Sequence, residues 1–300
     1  MLRRHLPLFV SLLSFALTLS APAATKKKTP TATKKPAAAK TETPAPVEPF
    51  TANEDGSPPA ISGPCALVLD ADSGRVLHQL NADQHREVAS TQKLLTALII
   101  AESGNLDGLV RVEPIDTQCE PTKLYLKAGD TYERSQLLQI LLVKSMNDVA
   151  RCLARDNAGS LEAFAVKMNA KARELGMTES HFVNPNGLPA PNQYSTARDM
   201  ARVAMAAYHN RTIRNIVRLR SLTFKYADGH THTFENTNLV LKNFPLCNGM
   251  KTGYTEGAGH CLISSAAHDG REVIAIVLGN SSRKKIWADS YRLLAWGLSF

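Results

Sequence analysis

Several large classes of protein are excluded by what this sequence lacks. Aromatic residues make up only 6% of the 300, and no basic stripe is interleaved with them, so a net charge of +8 carries no nucleic-acid footprint. Much of that charge sits in the first 60 residues, where eight Lys and Arg face four Asp and Glu. The remainder has 27 against 23, a net of only +4. The five cysteines, Cys65, Cys119, Cys152, Cys247 and Cys261, lack zinc-finger spacing. Their odd number leaves at least one unpaired unless it bridges molecules, so they read as buried thiols or one staple. His230 and His232 alternate as strand neighbours would, yet no third ligand is nearby, which argues against a metal. The long apolar run at the start, Leu6 to Leu19, falls short of the roughly 20 residues that span a bilayer.

What is present at that end is Arg3 and Arg4, then the apolar run, then Ala21-Pro22-Ala23. This is the three-part layout of a secretory signal peptide over residues 1–23, with cleavage expected near Ala23. From residue 24 to 60 the composition narrows to Lys, Pro, Ala and Thr, which cannot bury enough apolar surface to fold. That segment is expected to be a disordered, stiff, basic linker. Lys26, Lys27, Lys28, Lys34, Lys35 and Lys40 would be free to make weak electrostatic contact with the envelope, although a solvated spacer is the simpler reading. Residues 61–300 are long enough for one large domain with a sizeable core.

Within that domain, Cys65 to Asp70 and Arg75 to Leu80 flank Asp72-Ser73-Gly74 and predict a β-hairpin. The run from Leu94 to Ala101 is apolar on nearly every side and predicts a helix buried all round, ending near Gly104. Further helices are expected at Leu137 to Val143, Leu161 to Leu175 with Gly176 as its cap, and Ala197 to Tyr208. Strands then return at Leu222 to Tyr226, Leu246 to Tyr254, His260 to Ala267 and Val273 to Leu278, the last two joined by Asp269-Gly270. A final amphipathic helix covers about Arg283 to Gly297. The pattern is mixed α+β, with first and last strands free to share a sheet.

Three short motifs carry chemistry. In Ala89-Ser90-Thr91-Gln92-Lys93, Ser90 and Lys93 stand one helical turn apart, so the amine can take the hydroxyl proton. The spacing alone is cheap: Ser281-Ser282-Arg283-Lys284 and Ser282-Arg283-Lys284-Lys285 share it. The first match differs in placing a lysine at the start of a helix that otherwise looks like core. Ser145-Met146-Asn147 follows the apolar helix ending at Val143 and offers a hydroxyl and an amide at a helix junction. A second copy, Ser103-Gly104-Asn105, lies roughly 20 Å from Ser90 along the helix and cannot converge on it. On a predicted strand, Lys251-Thr252-Gly253 with Tyr254 supplies a cation, a hydroxyl and bare backbone that an extended peptide can approach.

Ser-x-x-Lys, Ser-x-Asn and Lys-Thr-Gly in this order form the motif set of penicillin-recognising serine enzymes. Over nearly all of Ile61 to Phe300 the chain resembles the D-alanyl-D-alanine carboxypeptidase family of low-molecular-mass penicillin-binding proteins. Gly129-Asp130-Thr131, Asn184-Pro185-Asn186-Gly187-Leu188, Asn236-Thr237-Asn238 and Ala258-Gly259-His260-Cys261-Leu262 add to the likeness. One departure is Met146, where the family usually carries glycine, which bears on substrate fit near that turn. The resemblance implies a penicillin-binding/β-lactamase-like fold: a helical lobe against a five-stranded antiparallel sheet flanked by helices, with the active site between them. It implies catalytic roles for Ser90 as acylated nucleophile, Lys93 as its base and Ser145 as proton relay to the leaving amine. Substrate binding would fall to Asn147, Lys251, Thr252, Gly253 and Tyr254, with the amides of Ser90 and Tyr254 as oxyanion hole. Lys93 must be neutral for this, and burial beside Lys251 would lower its pKa. No metal or organic cofactor is implied. The partners implied are peptidoglycan stem peptides ending in D-Ala-D-Ala, with β-lactams as acylating inhibitors, in the periplasm or cell envelope.

Three alternatives remain beside the carboxypeptidase. A class A β-lactamase needs a glutamate with asparagine four residues later between the second and third motifs, and Glu162, Glu174, Glu179 and Glu235 all lack it. A D,D-endopeptidase would cut crosslinks with the same constellation, and the short stretch after the last helix resembles the compact endopeptidase members. A non-catalytic envelope-binding module would gain nothing from a lysine of lowered pKa beside a serine. The leader makes the first prediction: Edman sequencing of exported protein begins near Ala24, and an intact Met1 there would refute cleavage.

Overall fold

The computed structural model of the chain describes Asn53 and residues 55–300. The expected leader and most of the expected linker lie outside the described residues. Nine strands and eight α-helices are present among the described residues.

The chain opens with the hairpin β1 (Cys65–Asp70) and β2 (Val76–Leu80), and a 3₁₀ turn at Ala89–Gln92 leads into α1 (Lys93–Glu102). A two-stranded ribbon follows, β3 (Leu109–Arg111) with β4 (Thr131–Glu133), and then the helices α2 (Arg134–Lys144), α3 (Asn147–Ala158), α4 (Leu161–Glu174), α5 (Ala197–His209) and α6 (Arg211–Val217). A second hairpin, β5 (Ser221–Lys225) with β6 (Thr231–Glu235), and the short α7 (Leu239–Asn243) precede β7 (Cys247–Thr255), β8 (Gly259–His268), β9 (Arg271–Asn280) and α8 (Arg283–Gly297).

The main sheet has the order β2-β1-β9-β8-β7 and is antiparallel throughout. First and last strands do meet, with Cys65 opposite Leu278 and Asp70 opposite Val273. Both faces of the sheet are covered, which explains why β1 and β9 read as continuous apolar runs rather than alternating ones. Leu67, Leu69, Ile274, Ile276 and Leu278 face the core shared with the helical lobe. Ala66, Val68, Val273, Ala275 and Val277 face Ile286, Leu293, Leu294 and Trp296 of α8. At the centre of the lobe lies α1, with Lys93 to Ile100 all buried, so no polar stripe is available to it.

Three helices go beyond the sequence reading. The polar and charged residues of α3, Arg151, Arg155, Asp156 and Asn157, resemble a loop, but each is half-buried against a partner while Val149, Ala150, Cys152 and Leu153 enter the core. Arg155 pairs there with the fully buried Asp116 at 2.9 Å, and Arg134 with Asp156 at 2.6 Å. The brief α6 and α7 take their start from side-chain caps, Asn210 and Asn238, rather than from any long periodic pattern. All five cysteines are free thiols, four of them buried, so of the two readings the buried thiols hold and the staple does not. Burial pushes Cys247 up to about 12 and Cys261 to about 11, leaving both protonated at neutral pH.

Among the described residues, the Gly56 carbonyl accepts from Trp296 Nε1 at 3.0 Å and ties this end to α8. A stronger staple follows. Asp289 on α8 is buried and its Oδ2 accepts from the amides of Ser62 and Gly63, both at 2.9 Å, and from Asn280 Nδ2 at 2.6 Å. Asp289→Ala strands two buried donors, the Gly63 amide and Asn280 Nδ2, and frees the more exposed Ser62 amide, and should lower unfolding free energy by about 3 kcal/mol in urea titration. Asp289→Asn, which retains one acceptor oxygen, should lose less.

Candidate active site

The site forms where the start of α1, the α2–α3 junction and the edge strand β7 meet. Ser90 sits in the 3₁₀ turn rather than in α1 itself, yet Lys93 Nζ still lies 2.7 Å from Ser90 Oγ. Lys93 is wholly buried. Its amine also donates to Asn147 Oδ1 at 2.7 Å and to the Asn186 carbonyl at 2.6 Å. Those two oxygens can only accept. As a neutral amine, with two hydrogens and one lone pair, Lys93 would give both hydrogens to these oxygens and its lone pair to Ser90; as an ammonium it would donate to all three. Burial first, and the nearby Lys251 cation second, hold the Lys93 pKa well below the usual lysine value, against a smaller upward pull from Cys119 and Asp148.

Successive carbonyls of Asn184, Pro185 and Asn186 accept from Gln92 Nε2 (2.6 Å), Thr96 Oγ1 (2.7 Å) and Lys93, so this loop is bonded along one side of α1. The loop closes on itself through Asn184, whose Oδ1 accepts from the Gly187 amide at 2.8 Å and whose Nδ2 donates to the Leu188 carbonyl at 2.8 Å. Gly187 has φ +79°, and a Cβ there would stand 2.1 Å from the Ala89 carbonyl oxygen. Only glycine lets the loop reach the serine.

Ser145 ends α2 in a left-handed conformation, φ +69°, and this turn starts α3 at Asn147. Asn147 Oδ1 is taken by Lys93, and one Nδ2 hydrogen goes to the Pro121 carbonyl at 2.5 Å, so the second Nδ2 hydrogen is what remains for a ligand. Ser145 Oγ makes no hydrogen bond among the described residues, and so is not joined to either lysine here. Met146 is buried in the lobe's core at 4% exposure, leaving almost none of it to the cleft. Sequence reasoning missed Asp148, fully buried, which accepts from the amides of Leu124 (2.9 Å) and Leu126 (3.2 Å) and ties the 119–126 segment to α3. An acid immediately after the Ser-x-Asn motif, in a helix with a buried face, was the available signal.

On β7, Lys251 is buried and its ammonium donates to the Thr252 carbonyl at 3.0 Å. Desolvation lowers its pKa to about 7. Thr252 Oγ1 donates to Thr237 Oγ1 at 2.7 Å. Gly253 lies against the serine turn: a Cβ would fall 2.9 Å from the Ser90 amide nitrogen and 3.0 Å from the Val88 carbonyl oxygen. Tyr254 is 60% exposed, its ring stacked on His260 with centroids 4.4 Å apart.

Sequence look-alikes fall elsewhere. Ser282 caps α8 by accepting from the Lys285 amide at 3.2 Å, and Ser103 closes the far end of α1. None of the four rival glutamates bonds to Ser90 or Lys93 among the described residues. Glu179 pairs with His85, Glu174 with Lys171 and Glu235 with Lys242, while Glu162 sits in the first turn of α4. His230 pairs with Asp228 and His232 packs on Phe234, and no group of three metal-ligating side chains occurs among the described residues.

A family model described as D-alanyl-D-alanine carboxypeptidase matches residues 52–282. The chain is 30% identical to the Escherichia coli D-alanyl-D-alanine carboxypeptidase DacC, over 84% of this chain and 65% of the relative. It is 32% identical to the E. coli D-alanyl-D-alanine endopeptidase, over 96% of this chain and 87% of the relative. A crystal structure of a D-alanyl-D-alanine carboxypeptidase from Mycobacterium tuberculosis superposes with a TM-score of 0.77 at 31% identity, covering 86% of this chain and 96% of that one. The chain thus spans just under two thirds of DacC, and 61% of the Bacillus subtilis carboxypeptidase DacF.

The two buried lysines make a pH prediction. Unfolded, each stays protonated up to its ordinary pKa near 10.5. Folded, Lys251 releases its proton near pH 7 and Lys93 releases its own below the ordinary value. In that window the unfolded state holds more protons, so their contribution makes stability rise with pH, by up to about 1.4 kcal/mol per unit for each amine. Buried thiols oppose it above about pH 8.5, where the unfolded chain ionises first. Urea titrations at pH 7.0 and 8.5 should show a rise for wild type that is smaller in Lys251→Met; an unchanged slope would refute the lowered pKa.

Proposed function

The chain belongs to the D-alanyl-D-alanine carboxypeptidase family, and on that basis we propose that it is a penicillin-sensitive serine D,D-carboxypeptidase acting on peptidoglycan stem peptides. One observation carries the reading: a wholly buried lysine amine, its pKa held well below the usual value by burial and by Lys251, stands 2.7 Å from a serine hydroxyl and is bonded to two further oxygens. A buried lysine is costly to a fold unless neutral, and a neutral one beside a serine is a general base.

The steps follow from the positions. Lys93 takes the Ser90 proton as Oγ attacks the carbonyl carbon of the terminal D-Ala–D-Ala bond. The amides of Ser90 and Tyr254 receive the developing oxyanion, where each donor contributes about 3 kcal/mol to the transition state. The proton taken by Lys93 is relayed through Ser145 to the departing amine, so D-alanine leaves as a neutral amine, Lys93 and Ser145 return to their starting states and an acyl-serine ester remains. Asn147 orients the peptide with its free Nδ2 hydrogen, and Lys251 and Thr252 hold the terminal carboxylate. An anion beside Lys251 favours its charged form and so offsets the desolvation that lowers its pKa. Water, activated by the same Lys93 amine, then splits the ester. A β-lactam enters the same path, but its leaving nitrogen stays tethered to the acyl group.

Cleavage of crosslinks is the second reading, supported by the match to the E. coli endopeptidase over 96% of the chain. Both reactions break the amide between a D-Ala carbonyl and a leaving amine, so the same residues serve either. A substrate in the cell wall requires export, which the N-terminal pattern fits.

Incubation of the mature full-length chain with benzylpenicillin should add one penicilloyl mass in intact-protein spectrometry, absent in Ser90→Ala. No adduct on folded wild type would refute the reading. Product analysis on monomeric pentapeptide against crosslinked dimer then separates the two activities: release of D-alanine from the monomer marks a carboxypeptidase, conversion of dimer to monomer an endopeptidase.

A further inference from the structure

The segment Asn236-Thr237-Asn238 bridges the helical lobe and the active edge of the sheet. Its two asparagines are buried, and both polar atoms of each side chain are hydrogen-bonded. Asn236 Nδ2 donates to the Leu219 carbonyl at 2.8 Å, and its Oδ1 accepts from the Asn238 amide at 2.9 Å. Asn238 Nδ2 donates to the Gly249 carbonyl on β7 at 2.9 Å, and its Oδ1 caps α7 through the amides of Val240 and Leu241. Thr237, held between them, donates its amide to the Val143 carbonyl at 3.2 Å, two residues before Ser145. Its hydroxyl, only partly buried, meets Thr252 Oγ1 at 2.7 Å. The backbone of Thr237 is thus fixed to both lobes, and its one unconstrained group is set against the hydroxyl of the third motif.

From this geometry we infer that Thr237 is a positioning residue for the carboxylate site, acting through Thr252. Two hydroxyls at this distance have two hydrogens, one of which lies between the oxygens. Without a ligand, Thr252 donates to Thr237. A carboxylate drawn to Lys251 takes the Thr252 hydrogen, and Thr237 can then rotate its own hydrogen onto the Thr252 oxygen, so the pair keeps its bond with the direction reversed. A hydroxyl whose oxygen is accepting is the stronger donor to an anion, and its rotor is fixed. Valine at 237 has nearly the same shape and retains the amide bond to Val143, yet leaves the Thr252 hydroxyl without that support. The inference rests on the cleft being the acylation site proposed above, and it adds a determinant outside the three motifs: selectivity for ligands bearing a carboxylate on the leaving side.

The test compares acylation rates of the mature chain by benzylpenicillin and by its methyl ester, which lacks the anion. Thr237→Val should slow the acid by about tenfold, the loss of one hydrogen bond to a charged group, and leave the ester within twofold. Thr237→Ser should restore the acid rate. In a Thr252→Val background, Thr237→Val should have no further effect on either probe. Equal losses on acid and ester, no loss on the acid, or an undiminished loss in the Thr252→Val background would each overturn the inference while leaving the acylation reading intact. Absence of adduct on wild type with both probes would overturn both.

Discussion

The structure depends on one buried amine. Lys93 meets oxygens from three separate stretches: Ser90 in its own turn, Asn147 at the start of α3, and Asn186 in the loop laid along α1. Each bond constrains a different element, so the amine is both the lock between the parts and the group that confronts the serine. A charged ammonium in this position would carry a large desolvation penalty. Burial thus pulls its pKa well below the usual lysine value and favours the neutral form, whose lone pair would be free for the serine. The chemistry is a by-product of the way the lysine is accommodated in a core.

Close backbone approach is the second requirement. The sheet edge and the 184–188 loop converge on the Ser90 turn from opposite directions, and in both cases a glycine stands at the contact, Gly253 and Gly187. A Cβ at either position would press on the backbone of that turn, 2.9 Å from the Ser90 nitrogen at Gly253 and 2.1 Å from the Ala89 oxygen at Gly187. Ala89 adds to the crowding, with φ +48° immediately before Ser90, a conformation that a non-glycine residue holds only when its surroundings over-determine it. Here the surroundings are Val88, Gly187 and Gly253, all packed on the same turn.

Much of the fold was legible in the residues because local signals and long-range demands agreed. The α1 run is apolar all round because the helix is the lobe's axis, and β1 and β9 are apolar throughout because both faces of the sheet are covered. The α8 boundaries, the β1–β2 hairpin and the β8–β9 turn carry their own caps and turn residues. What could not be seen was α3. Its charged residues look like a loop until Asp116, Glu113 and the α2 residue Arg134 supply their partners, and none of those lies nearby in sequence. Asp148 escaped notice for the same reason, since an acid next to a motif acquires meaning only when the amides it accepts from are known.

By itself the sequence determined the inventory and the local geometry. Ser90 and Lys93 are one turn apart in any helix-like conformation, Ser145 and Asn147 straddle a helix junction, and Lys251-Thr252-Gly253 lies on a strand, because three residues of separation leave the backbone few choices. Only the tertiary structure decided how these pieces confront one another. Asn147 lies 54 residues from Lys93 and Asn186 lies 93 away, and nothing in their spacing says that two carbonyl oxygens will claim the amine's hydrogens. It also showed Met146 turned into the core, Ser145 Oγ unbonded among the described residues, and Thr237 set against Thr252. Those outcomes depend on packing and desolvation summed over the whole domain, which no short stretch of sequence contains.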